Sequence, residues 1–422
     1  MSDLWDVADI GLADAGEERI AWAERESPVL CMIRDRFLSE RPFDGLTVAA
    51  CLQVTAETAV LTRALRCGGA QVWLAASNPL STQDDVAAAL AASGSAAVFA
   101  RQGVDIDTYY RHIRQVIGAQ PDLVIDDGGD LVDLLHAERP DCLTRVIAGC
   151  EFTASGITRM RRMAAAGVLA FPVAGLGETQ LMRVVGNTCA TGQSVIDGIV
   201  RATNMLIAGA TVVVAGFGPC GQGIASRARG FGAEVIITET DPVRALSAVM
   251  QGYRVLPMLA AAPFGDLFIT ATGSRDVISK DELTLMRDGV ILANAGHFDV
   301  EIDIRALADA ADAVRHHVRP HTDEYVLAGG RRLRLLAEGR VVNLVAAEGH
   351  PASVMDLSFA CQALALAWLA ANATSLEPAV HEVPAAIEVE VANLKLAALG
   401  LEIDASTPAQ QDYLSSWGRD GH

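Results

Sequence analysis

Three glycines, Gly216, Gly218 and Gly221, follow a run of β-branched residues and precede a helical pattern rich in Ala and Arg. In this strand–turn–helix context, a G-x-G-x-x-G sequence is typical of a dinucleotide site. The first glycine permits the tight turn, the second lets the backbone approach a pyrophosphate, and the third allows close helix–strand packing. A second apolar strand ends on Glu239, whose carboxylate would bind ribose hydroxyls and repel a 2′-phosphate. The stretch therefore predicts NAD binding, the alternative being a structural Gly-rich turn.

Two further polar groups lie at the ends of predicted strands. Asp127 follows the strand 123–125, and His297 ends the strand 290–297. Open α/β sheets bind ligands at the carboxyl ends of their strands, so both side chains are candidates for proton transfer. The alternatives are a capped strand end for Asp127 and a loop-anchoring side chain for His297.

Composition and charge narrow the class of protein. Of the 422 residues, 51% are hydrophobic, and Ala-rich helical patterns alternate with short Val/Ile strands, which is typical of α/β layering. The net charge of −19 argues against nucleic acids and anionic membranes as partners. The eight cysteines have no C-x-x-C spacing, so we expect reduced thiols in a cytoplasmic protein. We expect no signal peptide, no membrane span and no metal site.

The alternating patterns predict two α/β lobes: a Rossmann-like substrate domain and a Rossmann NAD-binding domain, followed by a short C-terminal segment. The predicted bounds are 1–188 with 352–395 for the substrate domain, 189–351 for the NAD-binding domain and 396–422 for the segment. Within these bounds we predict one amphipathic helix over 21–39, a strand over 168–173 and a long helix over 192–207. A helix over 354–371 is expected to return to the substrate domain.

Many short segments of the chain match one family. They include VADIGLAD, ETAVL, STQD, VIDDGGD, GFGPCGQG, NAGHFDVEID, LAEGRVVNL and GHP. On these motifs the chain resembles the S-adenosyl-L-homocysteine hydrolase family over roughly Val7 to Asn393. The resemblance implies a homo-oligomer, tetramer or dimer, with tightly bound NAD. It also implies the chemistry: oxidation of a 3′-hydroxyl acidifies the C4′ proton, the C5′ substituent leaves by β-elimination, water adds, and the ketone is reduced back.

The resemblance also assigns positions to the substrate and the cofactor. The catalytic candidates are Asp127, His297 and Asn187, of which the first two lie near the sugar. Thr55, Glu57 and His350 correspond to residues that hold the purine, so an adenine nucleoside is the expected substrate. The predicted cofactor site comprises Thr153, Ala154, Ser155, Asn187, Gly216, Gly218, Pro219, Cys220, Gly221, Glu239, Arg244, Thr272, Gly273, Ala295, Gly296, Asn343 and His350.

The sugar-facing positions depart from the family's pattern. The family's L-H-M-T is Leu-Gln-Val-Thr here, so an ionisable imidazole has become the amide of Gln53. The family's E-E-T is Glu-Phe-Thr, which replaces a carboxylate with Phe152. An ungapped alignment puts Met182 at the lysine that assists 3′-hydroxyl oxidation, and Gly186 at its aspartate partner. These four residues belong to the predicted substrate pocket, which is more apolar and less charged than the family's.

Three functions are compatible with this pattern. The preferred one is an NAD-dependent dehydratase that oxidises the sugar of an adenine nucleoside, expels the C5′ hydroxyl as water and reduces back. Its product would be a 4′,5′-unsaturated nucleoside, as in antibiotics of the angustmycin type, whose sugar has an extra hydroxymethyl group at the anomeric carbon. The second is a divergent S-adenosyl-L-homocysteine hydrolase. The third is a catalytically inactive paralogue that binds NAD and adenosine.

Overall fold

The computed structural model describes residues 4–415, which form two sheets of eight strands each, flanked by helices. The strands are β1 (Trp5–Asp6), β2 (Thr47–Leu52), β3 (Gln71–Ala76), β4 (Ala97–Phe99), β5 (Leu123–Asp126), β6 (Ala148–Glu151), β7 (Val173–Gly175), β8 (Thr211–Ala215), β9 (Glu234–Thr238), β10 (Arg254–Val255), β11 (Leu267–Thr270), β12 (Val290–Asn294), β13 (Ala311–Arg319), β14 (Thr322–Leu327), β15 (Arg332–Leu336) and β16 (Val380–Glu382).

The helices of the first half are α1 (Ala13–Arg25), α2 (Pro28–Glu40), α3 (Ala56–Cys67), α4 (Asp84–Ala92), α5 (Ile106–Ile117), α6 (Asp130–Glu138), α7 (Pro140–Leu143), α8 (Ala154–Ala165) and α9 (Gly192–Thr203). Those of the second half are α10 (Pro219–Gly230), α11 (Pro242–Met250), α12 (Met258–Ala261), α13 (Lys280–Leu285), α14 (Ile304–Asp309), α15 (Val342–Val345), α16 (Ala352–Asn372), α17 (Ala385–Ala398) and α18 (Pro408–Ser415). A π-helix over Met182–Thr191 leads directly into α9.

The first sheet is parallel throughout, in the order β1-β4-β3-β2-β5-β6-β7-β16. Its central strands β2, β5 and β6 are buried over their whole length, because helices cover both faces. All strands run in one direction, so the carboxyl ends of β2, β3, β5 and β6 lie at the same edge. Gln53, Ser77 and Asp127 directly follow three of these strands, and this edge therefore carries the candidate polar groups.

The second sheet has the order β10-β9-β8-β11-β12-β15-β14-β13. It is parallel from β10 to β15 and ends in two antiparallel pairs. The glycine motif lies in the turn from β8 to α10, and Pro219 occupies the first turn of that helix, where its missing N–H is not needed. His297 follows β12, at the carboxyl edge of this sheet.

The long helix α16 belongs to the core of the first lobe. It packs against α2, α3 and β6, and it is apolar on all sides. By length and composition it is the one helix in the described part of the chain that is able to cross a membrane, but 67% of its apolar window is buried inside the protein. Its apolar surface is therefore used for packing onto the first sheet.

The helix predicted over 21–39 is in fact two helices, α1 and α2. Pro28 begins the second helix, and its ring disfavours a helical conformation at Ser27 before it. The predicted strand over 168–173 is wrong, because β7 begins only at Val173. Leu169 and Phe171 are instead buried in the core without pairing to a strand.

The long helix predicted over 192–207 differs at both ends. It stops at Thr203, where Asn204 adopts a left-handed conformation with φ of 53°. Before Gly192 the chain is already helical, but with the wider π-type turn. Helices of this type are rare and occur mostly at functional sites, so residues 182–191 are a distinctive segment.

Candidate active site

The carboxyl ends of β2, β3 and β5 meet around Asp127. The Nε2 of Gln53 donates a hydrogen bond to Asp127 Oδ2 at 3.2 Å, and the Ser77 hydroxyl donates to the same oxygen at 3.1 Å. No residue in the range 4–415 donates a hydrogen bond to the other oxygen, Oδ1. Asp127 is 8% exposed. It is held through Oδ2, while Oδ1 is free of donors among the described residues.

Two buried acids support the loop that carries Asp127. Asp126 accepts a hydrogen bond from the N–H of Asp127 at 3.0 Å. Glu151 accepts from the N–H of Gly128 at 3.0 Å and from the N–H and hydroxyl of Thr153 at 2.8 and 2.7 Å. Burial raises the pKa of Asp126 to about 7 and raises the pKa of Glu151 well above its ordinary value. These acids therefore act as hydrogen-bond anchors beneath the loop.

The residues after Glu151 begin α8. Thr153 caps this helix by accepting a hydrogen bond from the N–H of Gly156 at 2.9 Å, and Ser155 donates to Thr153 at 3.2 Å. Ala154 is the first helical residue. The predicted cofactor residues 153–155 thus lie at a helix N-terminus that is tied to Glu151 and, through it, to the Asp127 loop.

His297 contacts this loop from the second lobe. Its Nε2 lies 2.5 Å from the point where a Cβ on Gly128 would be, and Gly128 has a φ of 110°. Both the close approach and the backbone conformation therefore require glycine there. Phe298 packs edge-on against the ring of His297, with centroids 4.6 Å apart. The two lobes thus bring the loop of Asp127 and the imidazole of His297 into contact.

The predicted purine residues come from two segments of the chain, the start of α3 and the loop before α16. Thr55 is the N-cap of α3, and Glu57 lies in the first turn of the same helix. Burial raises the pKa of Glu57. His350 instead contacts Thr191, with 2.9 Å between Nε2 and the hydroxyl oxygen, and burial lowers the pKa of His350 to about 4, which keeps its ring neutral. Within residues 4–415 no hydrogen bond joins Glu57 to His350.

A mostly apolar group of residues, called here the Met182 wall, consists of Met182, Gly186 and Ser358 together with Phe152 and Phe359; Ser358 and Phe359 are neighbours on α16. Met182 is 3% exposed, and the Ser358 hydroxyl donates a hydrogen bond to its sulfur at 2.9 Å. The methyl carbon of Met182 lies 2.8 Å from the point where a Cβ on Gly186 would be. The rings of Phe152 and Phe359 pack with centroids 6.2 Å apart. Met182 thus fills the space that the absent side chain at 186 leaves.

The π-helix connects this wall to the second lobe. Its wide turn places Gly186 and Thr191 together, and the Thr191 hydroxyl donates to the Gly186 carbonyl at 3.4 Å. Thr191 in turn contacts His350. Asn187 lies on the same helix, one residue after Gly186. The segment therefore carries residues of the Met182 wall at one end and a contact to His350 at the other.

The turn between β8 and α10 leaves a cradle of bare backbone. Gly216 has a φ of 92°, and a Cβ there would lie 2.7 Å from the carbonyl oxygen of Ala271. A Cβ on Gly221 would collide with the carbonyl oxygen of Gly216. At Gly218 only Arg244 Nη1 comes near, 3.8 Å from such a Cβ, so this backbone faces open space. The cradle fits a pyrophosphate at the N-terminus of α10.

Glu239 lies beside the cradle at the end of β9. Its carboxylate accepts hydrogen bonds from the N–H groups of Phe217 at 2.7 Å, Thr240 at 2.7 Å and Asp241 at 3.0 Å. Burial opposes ionisation, but these donors, together with the charge of Arg244, outweigh it and lower the pKa of Glu239. The group is therefore an anion where a ribose 2′-position is expected.

Asn343 provides a further test of the dinucleotide site. Its Nδ2 donates to the Ser194 hydroxyl at 3.1 Å, while its Oδ1 is buried without a partner in the described structure. A buried, unpaired amide oxygen suits an amide N–H such as that of a nicotinamide carboxamide. Nearby, burial raises the pKa of Cys220 to about 11, so its thiol is neutral. The residues present therefore fit NAD.

Sequence reasoning missed a set of residues that hold these groups in place. Glu301 is 1% exposed and accepts from Thr272 at 3.0 and 2.7 Å and from Gly273 at 2.8 Å. Asn294 accepts from the N–H of Gly296 at 2.8 Å, and Ala295 lies between the two. The other missed residues are Ser77, Ser81, Thr191 and Ser358. The segment 294–303, already part of a quoted motif, was the available signal for Glu301 and Asn294.

Comparisons with known proteins agree with this geometry. A model described as S-adenosyl-L-homocysteine hydrolase, NAD binding domain, matches residues 187–349, and one described as S-adenosyl-L-homocysteine hydrolase matches residues 4–146. The adenosylhomocysteinase of Thermosynechococcus vestitus is 52% identical over 98% of this chain and 96% of its own length. That of Aquifex aeolicus is 53% identical, over 98% and 99%. The S-inosyl-L-homocysteine hydrolase of Methanocaldococcus jannaschii is 49% identical, over 98% and 99%.

Proposed function

Because the chain belongs to the S-adenosyl-L-homocysteine hydrolase family and binds NAD, we propose that it uses this cofactor to remove water from C5′ of an adenine nucleoside. The observation that carries the proposal is the Met182 wall. There a methionine and a glycine occupy the positions at which the family's pattern has a lysine and an aspartate. The cofactor cradle and the predicted purine residues beside it keep that pattern.

The wall favours a sugar other than plain ribose. A hydroxyl group directed at Met182 or Phe152 loses its hydrogen bonds to water without gaining others, which costs about 1–3 kcal/mol. An additional carbon on the sugar would instead bury apolar surface, worth about 0.8 kcal/mol per CH₂ group. A sugar with an extra hydroxymethyl group at the anomeric carbon satisfies this preference when its CH₂ packs on the wall and its hydroxyl faces the polar side of the cleft.

The proton transfers are assigned to residues of the two lobes. NAD supplies reversible removal of hydride from a sugar hydroxyl carbon, which makes the neighbouring C4′ proton acidic. His297 contacts Gly128, the residue that follows Asp127, so both side chains are candidates for the base at C4′ and the acid at the C5′ oxygen. One removes the C4′ proton and the other protonates the departing hydroxyl. With NAD bound, the oxidation would be reversed within each turnover, so the net reaction would be the loss of one water.

The experiment is incubation of the purified holoenzyme with two adenine nucleosides, adenosine and its analogue with the extra hydroxymethyl group. We expect the analogue to lose the mass of one water, reversibly and without net NADH formation. Asp127→Asn and His297→Ala should each lower this rate by about 100-fold, the usual contribution of one general acid or base. If neither nucleoside loses water while NAD is bound, the dehydratase proposal is wrong.

A second candidate is hydrolysis of an S-nucleosyl-homocysteine. It is supported by the names of relatives that are about half identical over nearly the full chain, and these include both S-adenosyl and S-inosyl substrates. In that case the leaving group at C5′ is homocysteine and water adds afterwards. Release of free thiol from S-adenosylhomocysteine, followed with a thiol reagent, separates this reaction from dehydration.

We further infer that the protein works as a homo-oligomer, a dimer or tetramer, in the cytoplasm. The apolar side chains of Leu399, Leu401 and Ile403 after α17 are 61%, 55% and 67% exposed, and those of Val243 and Met250 on α11 are 75% and 77% exposed. Clusters of exposed apolar side chains are typical of protein–protein interfaces, and the members of each of these two groups are close in sequence. Light scattering of the purified protein measures the number of subunits directly.

A further inference from the structure

We propose that Gln53 is a positioning residue whose amide holds Asp127 so that Asp127 Oδ1 is the single proton acceptor of the first lobe. This rests on the proposed function only in that a nucleoside must bind in the cleft between Asp127 and His297. It goes beyond that function by stating which oxygen of Asp127 is held and which one is free. It also assigns a role to an amide where the family's pattern has an imidazole.

The orientation of the Gln53 amide is determined by its neighbours. The hydroxyl of Ser81 donates a hydrogen bond to the side-chain oxygen Oε1 of Gln53. The hydroxyl of Thr58 donates to the main-chain carbonyl oxygen of Gln53 at 2.6 Å, which fixes the backbone at this position. With its oxygen engaged by Ser81, the amide must turn its NH₂ group toward Asp127, since a carboxylate only accepts hydrogen bonds. The amide group of Gln53 is therefore held by Ser81 at its oxygen and by Asp127 at its nitrogen.

These hydrogen bonds give the two oxygens of Asp127 different roles. Gln53 and Ser77 both donate to Oδ2, at 3.2 and 3.1 Å, while within residues 4–415 Oδ1 has no donor and is not sealed from solvent. An amide does not exchange protons near neutral pH, so it cannot relay a proton to or from Oδ2 as an imidazole would. Oδ1 is left as the atom that takes a proton from a ligand.

The other titratable groups around Asp127 are hydrogen-bonded, buried or part of the second lobe. They are Asp126 and Glu151 beneath the loop, Asp130 and Cys51 beside it, and His297 across the cleft. Glu151 Oε2 has no partner among the described residues but is buried. Asp130 accepts from Arg159 at 2.7 Å and from Tyr109 at 3.0 Å. Burial raises the pKa of Cys51 and favours its neutral thiol. Asp127 is thus the acid of this lobe that has a free oxygen at the cleft.

The decisive variant is Gln53→Glu, which has nearly the same shape but faces Asp127 with a second carboxylate. Two carboxylates at hydrogen-bond distance share a proton, so the acid limb of the pH–rate profile should move up by at least about one pH unit. At pH 7 the turnover number should fall at least about tenfold while KM changes little, because the amide acts through Asp127. A purely structural role would leave the position of the acid limb unchanged.

Two further variants keep the test independent of folding. Ser81→Ala frees the amide while leaving Gln53 in place, and should lower turnover by about threefold to tenfold without moving the acid limb. Gln53→His should retain activity and add an ionisation near the ordinary imidazole pKa of about 6.5. Gln102→Glu, an exposed amide of the same lobe that bonds to the Leu80 carbonyl, is the matched control and should leave the profile unchanged.

The readout is deuterium incorporation at C4′, followed by NMR with the holoenzyme in heavy water. The probes are adenosine, its hydroxymethyl analogue and S-adenosylhomocysteine. Suppose that C4′ incorporates deuterium only when S-adenosylhomocysteine is the probe, and that no probe is dehydrated. The proposed dehydratase function would then be wrong, and this inference would stand. A Gln53→Glu enzyme with the wild-type rate and acid limb would overturn the inference, and so would a wild-type enzyme that exchanges C4′ in none of the probes.

Discussion

The glycine cradle after β8 and the Met182 wall on the π-helix are two regions of the proposed site under different constraints. In the cradle, backbone atoms decide the residue type: a side chain on Gly221 would meet the carbonyl oxygen of Gly216. In the wall, the contacts are made by side chains, such as the Ser358 hydroxyl on the Met182 sulfur. We therefore expect that substitutions in the cradle disturb the backbone and cost NAD binding. Substitutions in the wall change side-chain contacts only.

The largest expected effect on ligand binding comes from breaking the cradle. In Gly221→Ala the new methyl group would overlap the Gly216 carbonyl oxygen, so the turn must open and the pyrophosphate site is lost. Affinity for NAD, measured by calorimetry on the apoprotein, should fall by at least about 100-fold, or about 2.7 kcal/mol. Gly230→Ala at the end of the same helix is the control, because a Cβ there meets nothing within 4 Å. Equal affinity in the two variants would refute the role of the cradle.

The second prediction concerns the free energy of unfolding of variants in the Met182 wall. Met182→Lys places an ammonium group in a site that is 3% exposed, and an unpaired buried charge costs about 3–5 kcal/mol in unfolding free energy. Adding Gly186→Asp should recover part of this loss, because the new carboxylate lies one π-helical turn away. Denaturant unfolding of the two single variants and the double variant measures the coupling. Strict additivity would show that positions 182 and 186 do not face each other.

A third prediction concerns pH and the anchor of the Asp127 loop. Burial raises the folded-state pKa of Asp126 to about 7, so the stability that its proton contributes is present below the unfolded value of 3.8 and lost as pH rises to about 7. Asp126→Asn cannot ionise. The deficit in unfolding free energy of the variant relative to wild type should therefore shrink between pH 4.5 and about 7.

The control for this experiment is Asp141→Asn. The hydrogen bond from Arg139 lowers the pKa of Asp141 to about 2, so its contribution changes only at more acidic pH. Its difference from wild type should stay constant over the same pH range. A constant difference for Asp126→Asn as well would mean that Asp126 is ionised throughout.

The smallest effect concerns the choice of cofactor. Glu239→Gln removes the negative charge next to the ribose and should narrow the preference for NAD over NADP by about tenfold. Arg244, which lies near Gly218, should then support the 2′-phosphate, and Arg244→Ala in the same background should reverse the gain. Competitive binding of the two nucleotides measures the ratio. Wild-type protein that binds NADP as tightly as NAD would remove the role of Glu239.

Sequence patterns predicted the cradle and the strand ends because these depend on local features. Apolar runs that end in Asp127 or in the Gly-rich turn carry their own signal of strand and loop. The break between α1 and α2 was also local, at Pro28, but the helical periodicity on both sides concealed it.

The contacts that define the substrate side were not predictable in this way. Ser358 reaches Met182 across 176 positions, and Ser81 reaches Gln53 across 28. The π-type turn over 182–191 packs against α10 and α16, and no helical pattern in the sequence records it. Resemblance to a family located the changed residues, but only the folded chain shows what each now contacts.

The central claim is that the Met182 wall changes the outcome of the family's NAD chemistry from hydrolysis to dehydration. The most direct test offers the holoenzyme equal amounts of S-adenosylhomocysteine and the hydroxymethyl analogue of adenosine in one reaction, with both products followed by mass spectrometry. We predict that the analogue loses water while S-adenosylhomocysteine remains intact. Release of homocysteine at the higher rate, with the analogue unchanged, would contradict the claim and identify the protein as a hydrolase.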